Sequence, residues 1–232
     1  MALDIVQPGD RFTILTLPYG PLDNQYDLIR KLLDTARTHD LEISLAVADR
    51  AFHNSETHTI MEGLNIPFIT PCTEYPDIKE LFKKVQFPYV ENNRFMKGRV
   101  LYNIAAIRAE DENGKQIYDK QGNPVYHAYA TNIPLDENDA KGSYELLETE
   151  YQKRWGIETG FRMKKRSFGL WTTSDNNSIR VFYWLFSVLM YNLWILADIL
   201  VCLKLYGRVG DFHLVTSKQF RLVFFLIVVD PG

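Results

Sequence analysis

The sequence predicts an α/β fold, and three observations carry the prediction. Between residues 11 and 70, short β-rich runs alternate with helical stretches. Between 98 and 131, strand-like runs are separated by turn sequences. From Ser143 onward the pattern is helical and increasingly apolar. The 232 residues suffice for one large domain or two small ones, and 46% apolar with 24% charged residues is ordinary globular composition. Long-range disorder and fibrous repeats are excluded on that ground. Cys72 and Cys202 are the only cysteines and have no metal-ligand spacing, which excludes a disulfide scaffold and a zinc ribbon. The start, MALDIVQPGD, carries no basic leader ahead of an apolar core, so a cytoplasmic setting is expected.

In chain order, Arg11–Leu17 is a short strand ended by Pro18, and Pro18 to Asn24 is a loop rich in Pro, Gly and Asp. Asp23–Arg37 places Leu28, Ile29, Leu32, Leu33 and Ala36 at helical spacing. Ile43–Ala48 is a continuous apolar run, as expected of a strand buried on both faces, and it ends at Asp49. Asn54–Leu64 is a second helix capped by Asn54 or Ser55, and Ile66–Thr70 is another strand. Gly98–Arg108, Lys115–Tyr118 and Val125–Thr131 are expected to form a β meander, with Asn113-Gly114 as a hairpin turn. Ser143 to about Arg166 reads as one long helix with Ser143 as its N-cap. Ile179–Leu203 is a second long helix, and Leu222–Val229 is a final apolar run. The expected divisions are an α/β core over 1–84, a β-rich insertion over 85–139 and a helical region over 140–232 that completes the core.

Charge is unevenly spread. Residues 151–232 hold 11 Lys+Arg and 5 Asp+Glu, a net of +6, against 15 and 24 in residues 1–150, a net of −9. A basic C-terminal third points to an anionic partner. Val181–Leu203 runs 23 residues without Lys or Arg, long enough to span a bilayer. Asn192 and Asp198 lie within it, and an Asp there costs roughly 2.5–3.5 kcal/mol on insertion scales. A buried helix of a soluble domain is therefore expected, with no membrane as partner and a membrane anchor as the alternative.

Two places could carry chemistry. Asp49 follows an apolar strand, and open α/β sheets place their sites at the C-terminal ends of strands. The stretch YQKRWGIETGFRMKKRSFG, read as one helix at about 100° per residue, sets Tyr151, Arg154, Glu158, Arg162 and Lys165 on one stripe. A plain surface helix with a Glu158–Arg162 pair is the bland alternative. The five histidines, His39, His53, His58, His127 and His213, show no ligand spacing and are read as structural. There is no Gly-rich phosphate loop.

Tyr151, two residues, Arg154, three residues, Glu158, six residues, Lys165 reproduces the Tyr-Arg-Glu-Lys signature, and with RWGIETGFR and AVADRAF the chain resembles DDE transposases of the insertion-sequence-four group. In AVADRAF, Ala51 stands where that group usually has Gly. The resemblance covers roughly residues 10–205 and implies a ribonuclease-H-like fold. It implies that Asp49 is the second catalytic Asp and Glu158 the catalytic Glu, both ligands of a two-metal Mg²⁺ (or Mn²⁺) site. Such a site activates a nucleophile and stabilises the attacking and leaving oxygens of a phosphodiester. It implies double-stranded DNA, transposon ends and target, as partner. Tyr151, Arg154 and Lys165 would bind end phosphates, and a cationic strip of Arg154, Arg162, Lys164, Lys165 and Arg166 is expected beside Glu158. The family's first Asp, in an Asp-x-Thr context, has no counterpart here, since Asp4 in ALDIV lacks that Thr. The expectation is a transposase fragment without its first strand, inactive alone. It could form a homodimer or pair with an intact transposase as a DNA-binding remnant that inhibits it.

Overall fold

The computed structural model describes residues 1–4, 12–20, 22–97, 100–169, 172–209 and 212–229. The chain divides into two compact units, Asp40–Gln152 and a second built from Met1–His39 with Lys153–Gly232.

The contiguous unit is a five-stranded mixed sheet with helices on both faces. Its strands are β3 (Ala46–Val47), β4 (Phe68–Pro71), β5 (Tyr89–Met96), β6 (Val100–Arg108) and β7 (Tyr126–Thr131), in the order β3-β4-β7-β6-β5. β3 and β4 are parallel, and the other pairs are antiparallel. The β-rich stretch thus continues the sheet, because β7 pairs with β4 through Ile69↔Thr131 and Thr70↔Ala130. Strand alternation sorts the two faces. Tyr102, Ile104 and Ala106 pack with Cys72 and with Ile78 and Phe82 of α3 (Pro76–Phe82). Ala105 and Ile69 pack against Tyr144 and Leu147 of α4 (Ala140–Gln152). α2 (Ser55–Gly63) begins at Asn54, whose side chain accepts from the Thr57 amide at 2.9 Å.

Three expectations are corrected here. Ile43–Ala48 contributes only Ala46–Val47 to the sheet, half-buried and, among the described residues, paired to β4 alone at the edge of the sheet. Lys115–Tyr118 forms isolated bridges, Glu110↔Gln116 and Tyr118↔Pro124, between two turns. In each turn an Asp side chain takes the backbone amides, Asp111 from Lys115 and Asp119 from Asn123, and Gly114 supplies the positive φ of +75°. Ser143 is not an N-cap. The helix starts at Ala140, with Asp139 accepting from the Gly142 amide at 2.9 Å, and Ser143 is buried in the first turn against Asp136.

The second unit pairs β1 (Ala2–Asp4) antiparallel with β2 (Thr13–Thr16) and packs them with α1 (Gln25–Thr38), α5 (Trp155–Arg166), α6 (Asn177–Tyr206) and α7 (Ser217–Val229). α1 buries Ile29, Leu32, Leu33 and Ala36, the i, i+3, i+4, i+7 face that its sequence predicts. Met190, Tyr191, Trp194 and Ile195 of α6 form the core with Phe168. α5 and α6 approach closely at Gly160, where a Cβ would lie 3.1 Å from the Tyr191 hydroxyl.

α6 is long and apolar enough to cross a membrane by length and composition. Its polar residues, however, make specific ties. Asn192 mimics a strand, accepting from the Thr13 amide at 3.0 Å and donating to the Thr13 carbonyl at 2.8 Å. Asp198, 5% exposed, accepts from the Val215 amide at 2.7 Å and bonds His213 Nδ1 at 2.8 Å, fastening the segment before α7. The last apolar run, Leu222–Val229, lies within α7.

Candidate active site and nucleic-acid face

Asp49 stands where β3 ends and a 3₁₀ turn (Arg50–Phe52) begins, and its Oδ1 caps that turn by accepting from the Arg50 amide at 2.7 Å. Thr70 Oγ1 donates to the Asp49 carbonyl at 3.0 Å, which ties the strand end to β4. The exposed carboxylate borders a cavity of about 280 Å³ lined also by Arg50, His127, Tyr129 and Tyr151. Tyr151 packs its ring 5.1 Å from Tyr129. His127 is a site residue the sequence did not signal, since it reaches this cavity only because β7 pairs beside β4.

Glu158 lies in the first turn of α5, where a carboxylate is favoured by the helix dipole. Its Oε1 accepts from Arg154 at 2.8 Å, with the Arg154 side chain 19% and the Glu158 side chain 42% exposed. The i,i+4 pair is therefore Arg154–Glu158 and not Glu158–Arg162. Arg162, Lys165 and Arg166 are exposed.

The expected single helix over 143–166 is two helices, with a turn at Lys153–Arg154 between them. Tyr151 accordingly belongs to α4 and to the cavity of Asp49, whereas Arg154 lies in the turn and Glu158, Arg162 and Lys165 belong to α5. Lys164 leaves the expected strip altogether. It is 0% exposed, its Nζ donates to Asp4 Oδ1 at 2.9 Å and to Thr13 Oγ1, and it lies 4.7 Å and 5.1 Å from the ring centres of Phe161 and Tyr191. A side chain so placed presents no charge to a phosphate. Asp4 is likewise committed to Lys164 and Thr13.

A buried polar group also emerges that the spacing of histidines had not suggested. His53 and His58, each 1% exposed, stand 5.3 Å apart beside Tyr102. His53 Nδ1 accepts from the Thr73 amide at 2.8 Å, while His53 Nε2 and both His58 ring nitrogens have no hydrogen-bond partner among the described residues. Burial, and then the positive Arg50, lower the His53 pKa to about 4. Burial, and then His53, lower that of His58 to about 3.

Hard carboxylate oxygens such as those of Asp49 and Glu158 suit Mg²⁺ or Mn²⁺. Among the described residues, however, no three His, Cys, Asp or Glu side chains come together as a metal-binding group. Asp49 and Glu158 are the two acids that would hold such an ion, which would polarise a phosphodiester oxygen or activate a water.

The mixed sheet flanked by helices, with a carboxylate at a strand end, defines a ribonuclease-H-like fold of the kind found in DDE transposases. The transposase DDE domain family matches residues 23–193, and the chain belongs to that family, whose members serve DNA transposition and recombination and generally use divalent metal ions. Among solved structures, the chain is similar to the piggyBac transposase in a synaptic complex with hairpin DNA, at a TM-score of 0.55 and 12% identity. That likeness covers 92% of this chain and 43% of the other, so the chain spans less than half of that protein's length. No curated protein sequence matches the chain.

Proposed function

We propose that this chain is a transposase core of the insertion-sequence-four group that binds double-stranded transposon-end DNA in the cytoplasm and, alone, does not cut it. The carrying observation is the family match over 23–193, which contains Asp49, Glu158 and the basic helix α5. The DNA-bound state of the piggyBac neighbour supports DNA as the partner. Exposed Arg162, Lys165 and Arg166 supply the charge for phosphates. Asp49 and Glu158 are the two acids assigned to a divalent metal. Asp4, the acid nearest the start of the sequence, is held by Lys164, and this supports the inactive reading. A chain that binds ends without cutting them would inhibit an intact transposase, by pairing with it or by occupying its DNA.

The test incubates the full chain with supercoiled plasmid carrying candidate ends, in Mg²⁺ and in Mn²⁺. DNA retention without nicks is expected. Metal-dependent nicking that disappears in both Asp49→Asn and Glu158→Gln would overturn the inactivity and establish a complete catalytic site. Absence of any DNA retention at low salt would overturn the DNA-binding reading.

A further inference from the structure

The solvent face of α6 is wholly apolar. Between 181 and 203 the exposed residues are Phe182, Leu185, Leu189, Leu196, Leu200 and Leu203, each 44–60% exposed. Ser187, Asn192 and Asp198 of the same stretch are bonded within the unit, Ser187 donating to the Trp184 carbonyl at 2.7 Å. At about 100° per residue the six exposed side chains lie within an arc of about 60°. That is the narrow seam of a helix pair, whereas a helix packed on a core shows an apolar face at least about 100° wide. A helix lying in a lipid surface carries Lys and Arg along its polar face, and 181–203 contains neither. Crossing a bilayer would strip Asn192 and Asp198 of their partners.

The spacing of the six residues says what fits the seam. It runs 3, 4, 7, 4, 3 and so reads the same in both directions. Two such stripes laid antiparallel face each other residue for residue: Phe182 against Leu203, Leu185 against Leu200 and Leu189 against Leu196. The twofold axis then falls between Asn192 and Leu193. A twofold contact demands a surface that is complementary to itself, and this palindrome is one. At roughly 100 Å² of exposed surface per side chain, the pair would bury about 1,200 Å², which is where specific interfaces begin. We propose that α6 is a self-association surface through which two copies of this chain pair antiparallel in the absence of DNA. The pairing goes beyond the DNA-binding reading and stands without it.

Sedimentation equilibrium of the full chain at micromolar concentration, without DNA, is expected to give a dimer. Leu189→Glu and Leu196→Lys each bury an unpaired charge against a leucine and should each weaken the dimer at least about tenfold. Both positions are exposed in the single chain, so an unchanged circular dichroism spectrum and urea midpoint are expected of the variants. In the double variant, antiparallel pairing sets the two opposite charges together twice and should restore the dimer, whereas parallel pairing would set like charges together. A wild-type chain that stays monomeric, a dimer that neither single variant weakens, or a double variant that stays monomeric would each overturn the pairing. A monomeric chain that binds phosphatidylcholine vesicles and loses them on Leu189→Glu would overturn it too, by making lipid the occupant. Loss of DNA retention with the dimer intact would overturn the DNA-binding reading alone.

Discussion

Lys164 shows how one residue's rotation about a helix decides its role. From Glu158 it lies six residues on, which at about 100° each turns it some 120° away from the carboxylate. That angle was legible in the sequence. The run Lys164-Lys165-Arg166 conceals it, because adjacent charges read as one patch. Lys164 then finds Asp4, 160 residues earlier, a pairing that no local pattern announces. Removing one partner of a buried ion pair leaves the other charge uncompensated, at a cost of about 3–5 kcal/mol. Lys164→Ala is therefore expected to lower stability by about that amount in urea unfolding. The buried histidines give a second outcome at this scale. Both have folded-state pKa values below the ordinary 6.5, so the unfolded chain takes up protons first. Their contribution is complete above pH 6.5 and is lost as pH falls from 6.5 through about 4 for His53 and about 3 for His58. Urea midpoints should be level from pH 7 to 8 and fall steeply below 6.5, with a loss on the order of 2 kcal/mol per histidine by pH 5. His58→Leu should make that fall shallower. Sequence spacing missed the pair because His53 lies in the turn before α2, so helical periodicity does not relate the two rings.

Among elements, α5 carries the testable part of the DNA reading. Arg162, Lys165 and Arg166 are exposed along it, and each phosphate contact contributes a salt slope of about −0.9. Replacing all three with Ala should flatten the dependence of log affinity on log salt by about 2.7 if all three contact phosphates. An unchanged slope would show that α5 does not face DNA. Amphipathic elements were the most readable: of the five residues marked by its periodicity, α1 buries Ile29, Leu32, Leu33 and Ala36 and leaves Leu28 half-buried. Ile43–Ala48 was misread because an apolar run does not reveal how many neighbours a strand has, and among the described residues β3 has only β4. The helix expected over 143–166 hid a break, since Lys153 and Arg154 are good helix formers and nothing in their chemistry marks a turn. That break moved Tyr151 from the stripe of Glu158 to the cavity of Asp49. For α6, membrane-like composition and a folded core ask for the same residues. What separates them is Asn192 and Asp198, whose partners on β2 and before α7 appear only once the chain is folded.

At the scale of the molecule, the charge asymmetry between the two ends of the sequence persists in the division into units. Residues 1–39 with 153–232 hold 15 Lys+Arg and 10 Asp+Glu, a net of +5, while residues 40–152 hold 11 and 19, a net of −8. An anionic polymer is attracted to the first and repelled by the second. Photocrosslinking to end DNA followed by mass spectrometry should therefore yield adducts concentrated in 1–39 and 153–232. A majority of adducts in 40–152 would contradict that assignment. The basic unit has one more consequence, which concerns time. Its two pieces are separated by the whole of the acidic unit, and Thr13 obtains its partner Asn192 from 179 residues further on. At a synthesis rate of about 5–20 residues per second, β2 leaves the ribosome roughly 10–40 seconds before the helix that covers it exists. The contiguous sheet of 40–152 is synthesised entirely within that interval. During it, the early hairpin and α1 hold apolar faces with nothing to pack on, so a nascent chain stalled before α6 is the state most in need of a chaperone.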